Sequence, residues 1–316
     1  MLSKHIAEAL RSSRHRILVT GASGWLGTAT LALLHDALGP QFHDRVRCFG
    51  SRQRALALAD SGTIDQHPLE ALGHLPSAPS LLLHFAFLTK DRAEEMDEAE
   101  YRTANGKIGQ AVLDCIDRIG VEAAFVASSG AAAVAESANA SAAMRLYGSL
   151  KRDAEDAFAE WAQRQGKGLV LARIFNLSGP HINKLSSYAL ASFIVDALAG
   201  GPIRIRAPHE VVRGYVAVRE LMSLAFGLLL RRGPGITRFD SGGEPVELGV
   251  LGEVVAAQFG GCAVERPERI IGEDRYLGND VGYRALLLTE GIEAVPLAQQ
   301  IAETAVFLSQ PLRAAD

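Results

Sequence analysis

A doubly wound, mostly parallel α/β sheet is the fold class this sequence predicts, and three observations predict it. A β-prone run, Arg16-Ile17-Leu18-Val19-Thr20, enters three glycines (Gly21, Gly24, Gly27), and an alanine- and leucine-rich stretch follows to Leu38. Further short apolar runs alternate with helical stretches, about six times before Asn176, the pattern of strands joined by crossover helices. Beyond Asn176 the alternation loosens, with Gly179-Pro180, Gly200-Gly201-Pro202, Gly233-Pro234-Gly235 and Gly242-Gly243 as punctuation. The expected organisation is a sheet domain over 1–176, with 1–15 as an N-terminal extension, and a smaller α+β portion over 177–316 interleaved with it.

Taken in order, Met1 to Arg16 mixes charge with Ile6, Ala9 and Leu10, which line one face of a short helix. Arg16–Thr20 reads as a buried strand and Thr28–Leu38 as a helix with Leu31, Leu33, Leu34 and Leu38 inward. Glycines at that joint allow a tight turn and close packing of helix on strand. The second strand is Arg45–Gly50, followed by Ser51-Arg52-Gln53-Arg54 and a helical stretch to Ala59; a short strand lies near Thr63–Asp65. Leu81–Phe87 is a continuously apolar strand. Asp91–Ile119 reads as helix, broken near Asn105-Gly106. Val121–Ala127 is a strand ending in Ser128-Ser129-Gly130, Ser141–Gln165 a long helix, and Leu169–Phe175 a strand. Short strands (Ile203–Arg206, Thr237–Asp240) and helices (Tyr188–Ala199, Val218–Arg231, Glu247–Phe259, Leu297–Leu308) complete the chain.

Composition excludes several classes. The 316 residues are 48% hydrophobic, enough for a sizeable core. A formal charge of −4 without a basic run argues against nucleic acid as partner. No apolar run reaches the roughly 18 residues that span a bilayer, and no signal-peptide pattern opens the chain. The three cysteines, Cys48, Cys115 and Cys262, are far apart, and the nine histidines make no metal-binding motif, so neither a disulfide framework nor a metal site is expected. A cytoplasmic location is the expectation.

The glycine spacing is Gly-x-x-Gly-x-x-Gly, one residue from the dinucleotide fingerprint, and a helix N-terminus there offers N–H groups and a positive dipole end to a pyrophosphate. The second strand distinguishes the nucleotide. An acid usually holds the ribose 2′-hydroxyl there, but Arg45–Leu58 holds no Asp or Glu, whereas Arg52 and Arg54 follow the strand. An arginine suits a 2′-phosphate, so NADP(H) is the expected cofactor, with NAD as the alternative. Tyr147 and Lys151 stand four apart on a helix and so share a face. A free tyrosine titrates near 10; an adjacent ammonium lowers that value and fits the tyrosine for proton transfer near neutrality. A serine hydroxyl ending the preceding strand, Ser128 or Ser129, is placed to bond a substrate oxygen.

On these residues the chain resembles the extended short-chain dehydrogenase/reductase family, in its branch of nucleotide-sugar epimerases, dehydratases and reductases, with a Rossmann-type sheet. Thr20-Gly21-Ala22-Ser23-Gly24-Trp25-Leu26-Gly27 is similar to that family's cofactor fingerprint, and His84-Phe85-Ala86 to the motif ending its fourth strand. Asn105 resembles an asparagine that opens a helix in the family. Ser129, Tyr147 and Lys151 resemble the catalytic serine and Tyr-Lys pair. Arg173-Ile174-Phe175-Asn176-Leu177-Ser178-Gly179-Pro180 resembles the segment whose Asn contacts substrate, and Arg213-Gly214-Tyr215 the one whose Arg grips a nucleotide diphosphate.

The resemblance implies Ser129, Tyr147 and Lys151 as catalytic residues. It implies Gly21, Ser23, Gly24, Trp25, Leu26, Gly27, Phe85, Ala86 and Lys151 at the cofactor, joined by Arg52. Ser129, Asn176 and Arg213 are implied at a nucleotide-diphosphate sugar, and a homodimer through the helices after Asp91 and Ser141. Dehydratases of this branch carry Asp-Glu after the serine position, where this chain has Gly130-Ala131, so dehydration is disfavoured. Ala133-Val134 replaces a Tyr-Gly, and Arg219-Glu220 stands where an acid is usual. The reading is hydride transfer on a nucleotide sugar, inclined to a keto-sugar reductase. An epimerase with tightly held NAD, a reductase of small carbonyl compounds and a non-catalytic cofactor sensor are the alternatives. His84 is expected to be a satisfied core histidine, Asp153, Glu155, Asp156 and Glu160 the wet side of their helix, Lys90 solvated, and His181 a residue with some prospect of facing substrate.

Overall fold

The computed structural model describes residues 1–58, 62–137, 140–231 and 233–310. Ala59, where the expected helix after the second strand ends, lies outside them, as does 311–316 at the end of the expected second portion. The chain divides into two compact units, Met1–Ile174 with Met222–Asp240, and Phe175–Leu221 with Ser241–Asp316.

The first unit is built on an eight-stranded sheet. Its strands are β1 (Arg16–Thr20), β2 (Val46–Gly50), β3 (Arg54–Leu58), β4 (Gly62–Pro68), β5 (Ser80–His84), β6 (Val121–Ser129), β7 (Gly168–Ile174) and β8 (Gly235–Asp240). Their order is β8-β7-β6-β5-β1-β2-β4-β3. Every pairing is parallel except β3 with β4. The order reverses at β1, with β2 on one side and β5 on the other, which is where such sheets hold ligands. β1 and β5 read as continuous apolar runs because both faces are covered; Ile17, Leu18 and Val19 are buried, as are Leu81, Leu82 and Leu83. Phe158, Trp161 and Ala162 of the Ala142–Gln165 helix pack with Val112, Ile116 and Ile119 on one face of the sheet. The N-terminal extension is a helix, Lys4–Ser12, burying Ile6 and Leu10.

Three expectations need correction. Arg54–Leu58 is a strand, not a helix. Its Arg-Ala-Leu-Ala-Leu sequence favours helix locally, but pairing with β4 at the sheet edge overrides that preference. The helix after Asp91 is not broken at Asn105-Gly106. It divides earlier, into Lys90–Glu95 and Glu98–Leu113, because Asp97 caps the second piece through its side chain, accepting from the Ala99 and Glu100 amides. β5 ends at His84, leaving Phe85, Ala86 and Phe87 in a loop.

In the second unit, Leu190, Phe193 and Ile194 of the Ala189–Leu198 helix pack with Leu251 and Val255 of the Leu248–Gln258 helix and Ile301 of the Leu297–Leu308 helix. Short strands supply its edges: Asn176–Ser178 pairs with Tyr215–Ala217, and Glu210–Arg213 lies between Val246–Glu247 and Glu273–Tyr276. No helix among the described residues is long and apolar enough to cross a membrane.

Candidate active site

The turn after β1 is made by main chain. Gly21 adopts φ +68°, and a Cβ there would stand 2.6 Å from the Ala86 nitrogen and 2.7 Å from the Phe85 carbonyl carbon. Glycine therefore serves twice, for the left-handed turn and for close approach of the loop after β5. A Cβ at Gly27 would strike the backbone of Ala22 at 2.6 Å, so this glycine seats the helix on the turn. The Trp25–Leu38 helix starts at Gly24, which has no side chain to cap it. That turn fits a dinucleotide pyrophosphate: main-chain donors, the positive end of a fourteen-residue helix, and glycines at 21, 24 and 27. Ser23, Trp25 and Leu26 lie within this turn and first helical residues. Phe85 and Ala86 border it, the Phe85 amide donating to the Thr20 carbonyl at 3.1 Å and the Ala86 amide to Thr20 Oγ1 at 3.5 Å.

The side-chain part lies at the end of β6 and on the helix that follows. Ser128 and Ser129 point to opposite faces of their strand. Ser128 Oγ is buried against Glu155 Oε1, whereas Ser129 Oγ accepts from the Ala131 amide at 3.2 Å. The Ala142–Gln165 helix starts under a Ser141 cap and presents Tyr147 and Lys151 on one face. Gly148 lets the helix in: a Cβ there would stand 2.8 Å from the Ala131 carbonyl carbon. Lys151 is 6% exposed; its Nζ donates to the Ala127 carbonyl at 2.8 Å and lies 3.8 Å above the centroid of the Phe87 ring. The Tyr147 ring meets the same Phe87 ring edge-on at 5.8 Å, and Lys151 Nζ is 5.8 Å from the tyrosine centroid.

Burial lowers the Lys151 ammonium to about 7, and Glu155 offsets part of that loss. His84 is a core histidine. Its Nδ1 is 2.8 Å from Thr20 Oγ1, its ring packs on Phe158, and burial, aided by the Lys151 charge, pushes it down to about 3. Glu155 corrects a sequence expectation. It is 3% exposed rather than solvated, accepting from Arg173 Nε at 2.9 Å and Nη2 at 2.8 Å. The i,i+4 spacing from Lys151 was the signal for it, since it places Glu155 on the buried face.

Arg52 follows β2 on an exposed bend, and its carbonyl accepts from the buried Gln66 carboxamide at 3.0 Å. Gln66 also covers Gly50, so the end of β2 is lined by a glycine and a neutral amide. Asn105 does not open a helix. It is buried within Glu98–Leu113, accepting from the Leu88 amide at 2.8 Å and donating to the Tyr101 carbonyl at 3.2 Å. Lys90 is partly exposed, its Nζ 3.5 Å from Glu94 Oε1.

Asn176 and Arg213 belong to the second unit. Asn176 Nδ2 donates to the Gly214 carbonyl at 3.2 Å and the Tyr276 carbonyl at 3.4 Å. Arg213 Nη2 bonds Asp274 Oδ2 at 2.6 Å, and its Nη1 donates to the Val212 and Asp274 carbonyls, both at 3.0 Å. Asp274 is a residue the sequence reasoning did not single out. His181 stacks on Phe307 at 4.9 Å and is the one non-glycine with positive φ among the described residues. No cluster of three or more metal-ligating side chains occurs among the described residues.

The NAD-dependent epimerase/dehydratase family pattern matches residues 17–236. No curated protein sequence matches. Among solved structures, MoeE5 in complex with UDP-glucuronic acid and NAD is similar at 19% identity and TM-score 0.67, covering 93% of this chain and 98% of its own. UDP-N-acetylglucosamine 4-epimerase from Methanobrevibacter ruminantium M1 is similar at 17% identity and TM-score 0.70, again covering 93% and 98%. DesIV, a dTDP-glucose 4,6-dehydratase from Streptomyces venezuelae with NAD bound, is similar at 19% identity and TM-score 0.68, covering 92% and 96%.

Proposed function

From the premise that this chain belongs to the NAD-dependent epimerase/dehydratase family, we propose that it transfers hydride at a carbinol or keto carbon of a nucleotide-diphosphate sugar. The observation that carries this reading is the convergence of Tyr147 and Lys151 on one helix face beside the end of β6, where Ser129 stands. A bound nicotinamide dinucleotide supplies the hydride chemistry, its pyrophosphate on the Gly21–Gly27 turn. Tyr147 Oη exchanges a proton with the substrate oxygen, and Ser129 Oγ orients that oxygen by a hydrogen bond. Lys151 has three donors, one committed to the Ala127 carbonyl. Its remaining donors serve the nicotinamide ribose, and its charge favours the Tyr147 phenolate.

Residues 177–316 form mainly the substrate-binding portion, with Asn176, just before it, contacting the sugar and Arg213 the diphosphate. Two chains pair through the Glu98–Leu113 and Ala142–Gln165 helices. Gly130-Ala131 supplies no acid beside Ser129, which disfavours elimination of water. Within hydride transfer, net reduction of a keto-sugar by NADPH is the favoured direction, because the end of β2 presents Gly50, neutral Gln66 and Arg52 rather than a carboxylate. Epimerisation with NAD is the second reading, favoured by the family to which the chain belongs.

The test is to denature the purified protein and identify the dinucleotide released, then titrate NADPH and NADH into stripped protein. Preferential NADPH binding that Arg52→Ala abolishes is the expected result, followed by turnover of a keto-sugar nucleotide that Tyr147→Phe lowers by about 10²–10⁴-fold. Stoichiometric NAD retained through purification overturns the NADPH reading and favours epimerisation. Turnover unaffected by Tyr147→Phe overturns hydride transfer at this site.

A further inference from the structure

We propose that Phe87 is a positioning residue for the Tyr147–Lys151 pair: its ring face holds the Lys151 ammonium, and an edge-to-face contact sets the Tyr147 ring. The consequence for catalysis rests on the function proposed above; the contact and its effect on Lys151 do not. The ammonium sits 3.8 Å over the ring centroid, well inside the range in which an aromatic quadrupole attracts a cation. The tyrosine approaches at 5.8 Å with an interplanar angle of 77°, the preferred edge-to-face arrangement.

The loop carrying Phe87 is fixed from beneath. At the next residue, the Leu88 amide donates to buried Asn105 and the Leu88 carbonyl accepts from Tyr101 Oη at 2.6 Å. Both main-chain polar groups of Leu88 are thus tied to the Glu98–Leu113 helix, and the Phe87 ring is held in a set place.

Other groups around Lys151 leave the ring a necessary part. Burying an ammonium is costly unless it is compensated. The Ala127 carbonyl takes one N–H. Glu155, on the same helix, is shared with Ser128 and with Arg173 of β7. His84, ending β5, is neutral and adds no compensation. The Lys90–Glu95 helix, packed on the same helix, carries Asp91 together with two ion pairs of its own, Lys90–Glu94 and Arg92–Glu95. A π face at position 87 therefore raises the proton affinity of Lys151 against the burial that depresses it. A leucine of similar size fills the space without that face.

The experiment follows Lys151 directly in the full-length chain. Six lysines (Lys4, Lys90, Lys107, Lys151, Lys167, Lys184) make a ¹³C-lysine-labelled protein tractable by carbon–proton NMR, with Lys151 assigned by Lys151→Met. In Phe87→Leu the Lys151 titration midpoint is expected to fall by about 0.5–1 pH unit, with the other five lysines unmoved. Phe87→Tyr is expected to restore it. Pentafluorophenylalanine at position 87, which keeps the ring's shape and reverses its quadrupole, is expected to lower it again and guards against a Phe87→Leu protein that fails to fold. A midpoint unchanged by the fluorinated ring or by a folded Phe87→Leu overturns the proposal, as does a Phe87→Tyr that behaves like Phe87→Leu. The readout needs neither substrate nor cofactor, so its failure and failure of the proposed reaction are separate results.

Discussion

Two arginine–carboxylate pairs, one in each unit, have similar contact distances and different settings: Arg173 holds the Glu155 carboxylate through two nitrogens, Arg213 the Asp274 carboxylate through one. Arg173 of β7 meets Glu155 at 2.8 Å with the carboxylate side chain only 4% exposed. Arg213, ending its own short strand, meets Asp274 at 2.6 Å with that carboxylate 48% exposed. In the first, Glu155 also binds Ser128 and lies one helical turn from Lys151, so the pair is scaffold for the proposed catalytic face. In the second, water reaches the carboxylate, while Arg213, 20% exposed, is also held by the Val212 and Asp274 carbonyls; in the role proposed for Arg213, an anionic ligand would compete with a solvent-screened acid. Contact distance alone does not separate the two pairs; the number of nitrogens engaged and the solvent around the acid do.

The strongest attempt to break this contrast is Glu155→Gln. It leaves Ser128 and Arg173 facing an amide in a buried place and is expected to cost about 3 kcal/mol by denaturant unfolding. That is the low end for a broken buried pair, because Arg173 is one-third exposed and partly screened. A loss no larger than that of an exposed pair would erase the distinction.

Lys151 beside that pair supplies the next effect. Its folded pKa of about 7 lies below the ordinary 10.5. Below pH 7 both folded and unfolded chains hold the proton, and the burial cost is fully present. Between 7 and 10.5 the unfolded chain keeps a proton the folded chain has lost, so stability rises with pH, by up to ~1.4 kcal/mol per pH unit for this group. Lys151→Met is expected to remove that rise, read as melting temperature against pH in mutant and parent.

In the second unit the effects appear in binding. Arg213→Ala is expected to weaken UDP or dTDP binding by calorimetry about tenfold or more, with the melting temperature nearly unchanged. Smallest is Asp274→Asn: less than about 1 kcal/mol of stability, with nucleoside diphosphate bound a few-fold more tightly because Arg213 is released. Weaker binding in Asp274→Asn would show that the acid orients the arginine rather than competing for it.

What the sequence revealed divides along the same line. The β1 turn was legible because its glycines are forced by local main-chain geometry and its flanking periods are distinct. Tyr147 and Lys151 were legible because helical spacing alone puts them on one face. Glu155 was misread because a charged residue among Asp153, Asp156 and Glu160 looks solvated until Arg173, from a different element, is brought opposite. Asp274 lies 61 residues from Arg213, and only the pairing of Glu210–Arg213 with Glu273–Tyr276 joins them. Arg54–Leu58 was misread because alanine and leucine favour helix, and the decisive contact is a sheet edge that no local rule describes.

The strand order carries a consequence for how the chain is made. β7 pairs with β6 on one side and with β8 on the other, and β8 arrives only after 175–221 of the second unit have been synthesised. Until Gly235–Asp240 emerges from the ribosome, the nascent sheet ends in an unprotected β7 edge of apolar residues, Leu169, Val170 and Leu171. Such an edge recruits other strands, including those of neighbouring nascent chains. Chains truncated before residue 235 are therefore expected to aggregate, while those released after 240 have the strand that closes the edge.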